Sequence, residues 1–235
     1  MARLRRATRR QEFAVSRALR AHVHGATPGA ASESLSHSGG YAALARAHPA
    51  LRVGVDLESH RARDVLTTSR TAFNECETHA LQTAAGPERD RLFYTMWTAK
   101  EALAKALQLP LLEALRSCRI LVDGPAWQVR VPGAATGCVV VYQPLPQLTL
   151  AVACVAPEGT RDLLVATPRI ETWSWPPQRP ASWPLIAAIS LAAVAAPAAA
   201  DRGTAGAARA AAPGSGSGTD GSSCGCAPAR PRAVA

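Results

Sequence analysis

Asp56 and Glu58 stand two residues apart in the run LRVGVDLE (51–58), whose alternating character predicts a strand. Side chains alternate along a strand, so both carboxylates point to one face. Two like charges at that distance repel unless a cation sits between them or both reach water. Read alone, the pair fits a cation site or a solvated polar strand end. A second group lies in WTAKEALAK (97–105), where Glu101 and Lys105 are at i and i+4 and so share one face of a helix. An ordinary surface ion pair is the competing reading there. Residue choice weighs against it. The chain has 26 Lys plus Arg, yet its only two lysines, Lys100 and Lys105, flank this one glutamate. A compact ammonium approaches a phosphate as a point charge or delivers a proton, which a guanidinium does not replace. Lys100 and Lys105 are therefore read as binding a phosphorylated cofactor. Three carboxylates from Asp56, Glu58 and Glu101 form a hard oxygen set suited to Mg²⁺ with substrate phosphate oxygens. The substrate this implies is a nucleotide-like pyrophosphate.

The elements that must position these groups are readable. A helix is expected over 8–23, with arginines around an apolar face. Short strands follow at 34–38 and 41–47, joined at Gly39-Gly40 in a hairpin-like turn. Gly86-Pro87-Glu88 starts a helix that runs to about Leu107, with proline at the first helical position. Strands are expected at 119–122, 127–131, 139–142 and 148–155, punctuated by Pro and Gly. Composition changes after Pro157, and the remainder reads as an Ala/Pro/Gly low-complexity tail of poor order. Within it, 180–200 carries no charge and is long enough to span a bilayer. Alanine-richness and Pro184 and Pro197 make membrane contact the lesser reading.

The formal net charge of +9 comes from arginine and suits an anionic ligand. A nucleic-acid partner is not expected, because the arginine-rich first helix lacks interleaved aromatics. Cys118, Cys138 and Cys154 lie in apolar runs as small hydrophobes, and Cys224-Gly-Cys226 lacks distant partner ligands. The basic start MARLRRATRRQEF has no apolar region after it, so no secretory signal is expected and a cytoplasmic setting follows.

Together, GVDLE (54–58) and WTAKEALAKAL (97–107) resemble the paired signature of the 4′-phosphopantetheinyl transferases, most closely the larger type with two similar halves. SLSHSGGYAALA (34–45) is similar to that family's Ser-His-Ser strand, TAFNECETHAL (71–81) to its Phe-x-x-x-Glu-x-x-x-Leu stretch, and RRQEFAVSRAL (9–19) to its first helix. The resemblance implies an α/β (α+β) fold with a pseudo-two-fold arrangement. Its N-terminal half is reduced (1–50), its metal-binding half covers 51–156, and a tail covers 157–235. It implies transfer of 4′-phosphopantetheine from coenzyme A to a serine of an acyl or peptidyl carrier protein, with release of 3′,5′-ADP. Asp56, Glu58 and Glu101 would bind Mg²⁺. Glu101 would also orient or deprotonate the serine, and Lys105 would contact the pyrophosphate. Arg17 and His37 would contact the nucleotide end of coenzyme A. Glu77 reads as structural, at a helix turn. The chain departs from the pattern in three places. Its first half is short, ATPGAASES stands where Gly-Lys-Pro is usual, and Gln108 replaces a glycine. The alternative is a degenerate member that binds carrier protein or coenzyme A without turnover.

Overall fold

The computed structural model describes residues 2–26, 28–123, 126–131, 136–160 and 185–193. It is an α+β fold. Helix α1 (Ala2–Ala26) precedes the hairpin β1 (Ser32–Ser38) and β2 (Tyr41–Ala47). Strand β3 (Arg52–Ser59) leads into helices α2 (Val65–Ala72), α3 (Glu75–Thr83), α4 (Gly86–Leu107) and α5 (Leu111–Ser117). Strands β4 (Arg119–Asp123), β5 (Ala126–Val131), β6 (Thr136–Leu145), β7 (Leu148–Ala156) and β8 (Leu185–Ala193) follow.

The hairpin is a separate two-stranded sheet, turned by Gly39 and Gly40 at φ 60° and 86°. Positive φ at both central residues matches the twist of the flanking strands, and glycine adopts it without steric cost. The larger sheet has the order β3-β7-β6-β8-β5-β4. The tail expected from composition contains one of its strands: Leu185–Ala193 lies between β6 and β5, antiparallel to the first and parallel to the second. The physical reason is pairing. A backbone inserted between two strands satisfies its N–H and C=O groups on both edges, which alanine-rich composition does not reveal. The rest of the tail, 161–184 and 194–235, lies outside the described residues, and with it the remaining expectations for that segment.

Alternation divides the sheet's residues between two cores. Val139, Val141, Ala151 and Ala153 join Phe93, Ala99, Ala102 and Leu103 of α4 in the main core. Val55, Leu57, Val140, Tyr142 and Leu150 form a second cluster, against which Ala43 and Ala45 of β2 pack. The helices are held by local devices. Asp64 caps α2 by accepting from the Thr67 N–H, and Asn74 with Glu77 forms a capping box on α3. Helix α4 ends on Gln108, which takes the left-handed conformation (φ 57°) that terminates helices.

No backbone ladder joins β1 to β3. Instead the hydroxyls of Ser32, Ser34, Ser36 and Ser38 accept the backbone N–H groups of Val53, Val55, Leu57 and Ser59, at 3.3, 3.0, 3.2 and 3.1 Å. The outer edge of β3 is thus covered by side chains, and the hairpin is held in register beside it.

Candidate metal centre

Gly54 sets the distance between β3 and α4. A Cβ built there would stand 2.0 Å from the Ala102 carbonyl oxygen and 2.7 Å from the Ala106 nitrogen. Only glycine lets the helix backbone come this close. Asp56 and Glu58 follow on the same face of β3. Across from them, α4 supplies Glu101 and, one turn later, Lys105.

One carboxylate oxygen from each of Asp56, Glu58 and Glu101 lies within 4.8 Å of the others. Asp56 is buried, while Glu58 and Glu101 are half-buried. Its two oxygens have different surroundings. Oδ1 accepts from Ser36 Oγ at 3.0 Å and from Lys105 Nζ at 2.8 Å. Oδ2 is buried without a partner. A buried acceptor left unpaired is costly, and a carboxylate oxygen facing two other carboxylates is suited to a cation.

The charge state carries the same sign of crowding. Burial first, then the charges of Asp56 and Glu58, push the Glu101 carboxyl up to about 8, against the opposing pull of Lys105. Burial first and then Asp56 also raise Glu58, while Arg63, Arg61 and a hydrogen bond from Ser38 pull it down. Three acids in one place thus fit a hard divalent cation by donor type and spacing. Asp56, Glu58 and Glu101 would hold it.

Residues 52–153 match the family model of the 4′-phosphopantetheinyl transferase superfamily. These residues form a 4′-phosphopantetheinyl transferase superfamily domain. The match begins at β3, contains the whole acidic cluster and ends within β7. None of the curated proteins matches the chain. Among the described residues no helix is long and apolar enough to cross a membrane.

Lys105 is one third exposed and donates to the Val55 carbonyl at 2.9 Å as well as to Asp56. Those bonds use two of the three N–H groups of an ammonium. Arg17 and His37 come together elsewhere. They line a cleft of about 590 Å³ between α1 and β1, together with Arg20 and His24. His37 alternates with Ser36 and Ser38 along β1, so it faces α1 while they face β3. Its Nδ1 is 3.5 Å from Glu12 Oε2, and the Arg17 guanidinium lies over the Phe13 ring.

Lys100 is a correction. The sequence reading placed it at the cofactor, but it is fully buried and bonded inside the core. Its Nζ donates to Glu77 Oε2 at 2.5 Å and to the Leu115 carbonyl at 2.6 Å, and sits 4.9 Å from the Phe73 ring centre. Glu77, also buried, accepts from the Asn74 N–H at 3.1 Å and the Ile120 N–H at 2.7 Å. The pair ties α3, α4, α5 and β4 together. A cation one position from Glu101 on a helix points about 100° away from it, and this rotation carries Lys100 inward.

Sequence reasoning missed Ser36, Gly54 and Tyr94. The Tyr94 hydroxyl holds the turn after β3 by accepting from the Arg61 N–H at 2.7 Å and donating to the Arg61 carbonyl at 3.0 Å, while its ring stacks on His60. The backbone just after β3 is thereby fixed at Arg61, and the Arg63 guanidinium lies over the same Tyr94 ring. The signal available was an aromatic with a polar end at a core position of α4, which needs a partner when buried.

Proposed function

We propose that this chain transfers 4′-phosphopantetheine from coenzyme A to a serine hydroxyl of an acyl or peptidyl carrier protein, with Mg²⁺ as the bound cation. The observation that carries this reading is the unpaired, buried Asp56 Oδ2 among three converging carboxylates in a domain of this superfamily. The bound cation would neutralise pyrophosphate charge and stabilise the departing oxygen.

The chain's own residues do the rest. The serine oxygen forms a bond to the phosphorus that carries pantetheine, and the bond from that phosphorus to the 3′,5′-ADP oxygen breaks. Glu101 is the carboxyl less enclosed than Asp56, on the helix side of the cluster, and it accepts the serine proton. Lys105, with one N–H left over from its two protein bonds, takes a pyrophosphate oxygen and offsets charge on the leaving group. Arg17 and His37, in the cleft beside α1, hold the nucleotide end. In this reading α1 and the hairpin form a reduced first subdomain, and residues 51–156 form the metal-binding one.

The test is mass spectrometry of an apo carrier protein incubated with the chain, coenzyme A and Mg²⁺. A mass gain of one phosphopantetheine on the carrier serine is expected, and it should vanish in Asp56→Ala. No gain with any carrier, while carrier or coenzyme A still binds, would favour a member that binds without turnover.

A further inference from the structure

We propose that Ser36 is a positioning residue for Asp56, so that the N-terminal hairpin supplies part of the framework of the candidate metal centre. This inference rests on the metal-binding reading given above.

A serine hydroxyl has one O–H to donate and two lone pairs to accept with. In all four serines of β1, a lone pair is used on a backbone N–H of β3. The hydroxyl proton must then find its own acceptor. At Ser36 it is Asp56 Oδ1, at 3.0 Å. The Ser38 hydroxyl lies 3.3 Å from Ser59 Oγ. Both serines are buried. Ser32 and Ser34 make the same backbone contact, at Val53 and Val55, farther back along β3 from the carboxylates.

The consequence is directional. Ser36 and Lys105 both occupy Asp56 Oδ1, from β1 and α4, which fixes the carboxylate plane. Oδ2 is then the oxygen left without a partner, on a carboxylate that lies within the three-acid cluster. Carboxylates that bind metals are commonly oriented by hydrogen bonds to the oxygen not on the metal, and losing such a bond costs about 10–100-fold in metal affinity. Because the ladder ties Ser36 to Leu57, the residue after Asp56, a slip of β1 would remove this support. Asp56 and Lys105 belong to the region matched at 52–153, whereas Ser36, which shares the orienting role with Lys105, lies before it.

The ladder also provides its own control. Ser34→Ala removes one hydroxyl-to-backbone bond, as Ser36→Ala does, but no bond to a carboxylate. The experiment is an equilibrium titration of the full chain with Mn²⁺, without coenzyme A or carrier, alongside thermal melts of each variant. Ser36→Ala is expected to weaken Mn²⁺ about tenfold or more. Ser34→Ala should lower the melting temperature to a similar degree and leave the Mn²⁺ affinity as in wild type. Ser36→Thr keeps the hydroxyl on a residue suited to strands and should restore binding. Should Ser36→Ala fail to fold, Ser36→Cys, which fills the same space with only a weak donor, takes its place and should also weaken Mn²⁺. Wild-type affinity in the folded Ser36 variant without its hydroxyl, or an equal loss in Ser34→Ala, overturns the positioning role while the metal reading stands. A wild-type chain that takes up no Mn²⁺ overturns the metal reading, and this inference with it.

Discussion

The backbone of Gly54 lies directly against the carbonyl of Ala102, so close that a methyl group on Gly54 would stand 2.0 Å from that oxygen. This contact brings the strand bearing Asp56 and Glu58 against the helix bearing Glu101. Gly54→Ala should force α4 away from β3. Overpacking of this kind costs about 1–3 kcal/mol, and more where backbone must move. The variant should melt lower and lose Mn²⁺ affinity together, measured by thermal denaturation and metal titration. Reduced stability with unchanged affinity would mean that the helix relaxes without separating the acids.

The Lys100–Glu77 pair gives an opposite pattern. Lys100→Met leaves a buried carboxylate without its cation, a change worth about 3–5 kcal/mol. Chemical denaturation should show that loss, and adding Glu77→Gln should recover part of it. Transfer by the remaining folded protein should keep its KM for coenzyme A. A raised KM at wild-type stability would restore the cofactor role that the sequence suggested for Lys100.

The pH behaviour follows from Glu101, whose carboxyl is raised to about 8 by burial and by Asp56 and Glu58. In the metal-free protein the folded state holds this proton more tightly than the unfolded chain. Its contribution to stability is therefore present at low pH and lost as pH rises from the ordinary carboxyl range through about 8. Divalent cation competes with the same proton, so affinity should rise with pH and level off above about 8. Thermal melts at pH 6 and pH 8, each with and without Mg²⁺, check both signs. The Mg²⁺-induced rise in melting temperature should be larger at pH 8.

Arg17 and His37 sit in the cleft beside α1, on the other side of β1 from the acids. Their loss should therefore weaken coenzyme A binding without touching the reacting atoms. Arg17→Ala and His37→Ala are each expected to raise KM for coenzyme A about tenfold, with kcat little changed. Steady-state kinetics with varied coenzyme A would show this. A fall in kcat at constant KM would place these residues in the chemical step.

The acidic cluster was legible because both of its parts obey a local period: two residues along a strand for Asp56 and Glu58, four along a helix for Glu101 and Lys105. Most strand limits and those of α4 followed from the same patterns, and the hairpin from Gly39-Gly40, whereas the short helices α2, α3 and α5 have too few turns to show a period. What stayed hidden depended on partners distant in sequence. The serine ladder is visible as alternation in SESLSHS, but nothing local says that those hydroxyls bind the backbone of β3. Lys100 was misread because residue rarity says nothing about which way a helix faces. Strand β8 was missed because alanine-rich composition is silent about a gap between β6 and β5. Gln108 shows that a helix can end in the left-handed conformation without the expected glycine.

The most direct measurement is anomalous diffraction from crystals of the chain soaked in Mn²⁺. The account predicts one strong peak bounded by carboxylate oxygens of Asp56, Glu58 and Glu101, with Asp56 Oδ2 as the oxygen nearest it. A peak elsewhere, or none at Mn²⁺ concentrations that saturate binding in solution, would contradict the claim that these three side chains share a single cation.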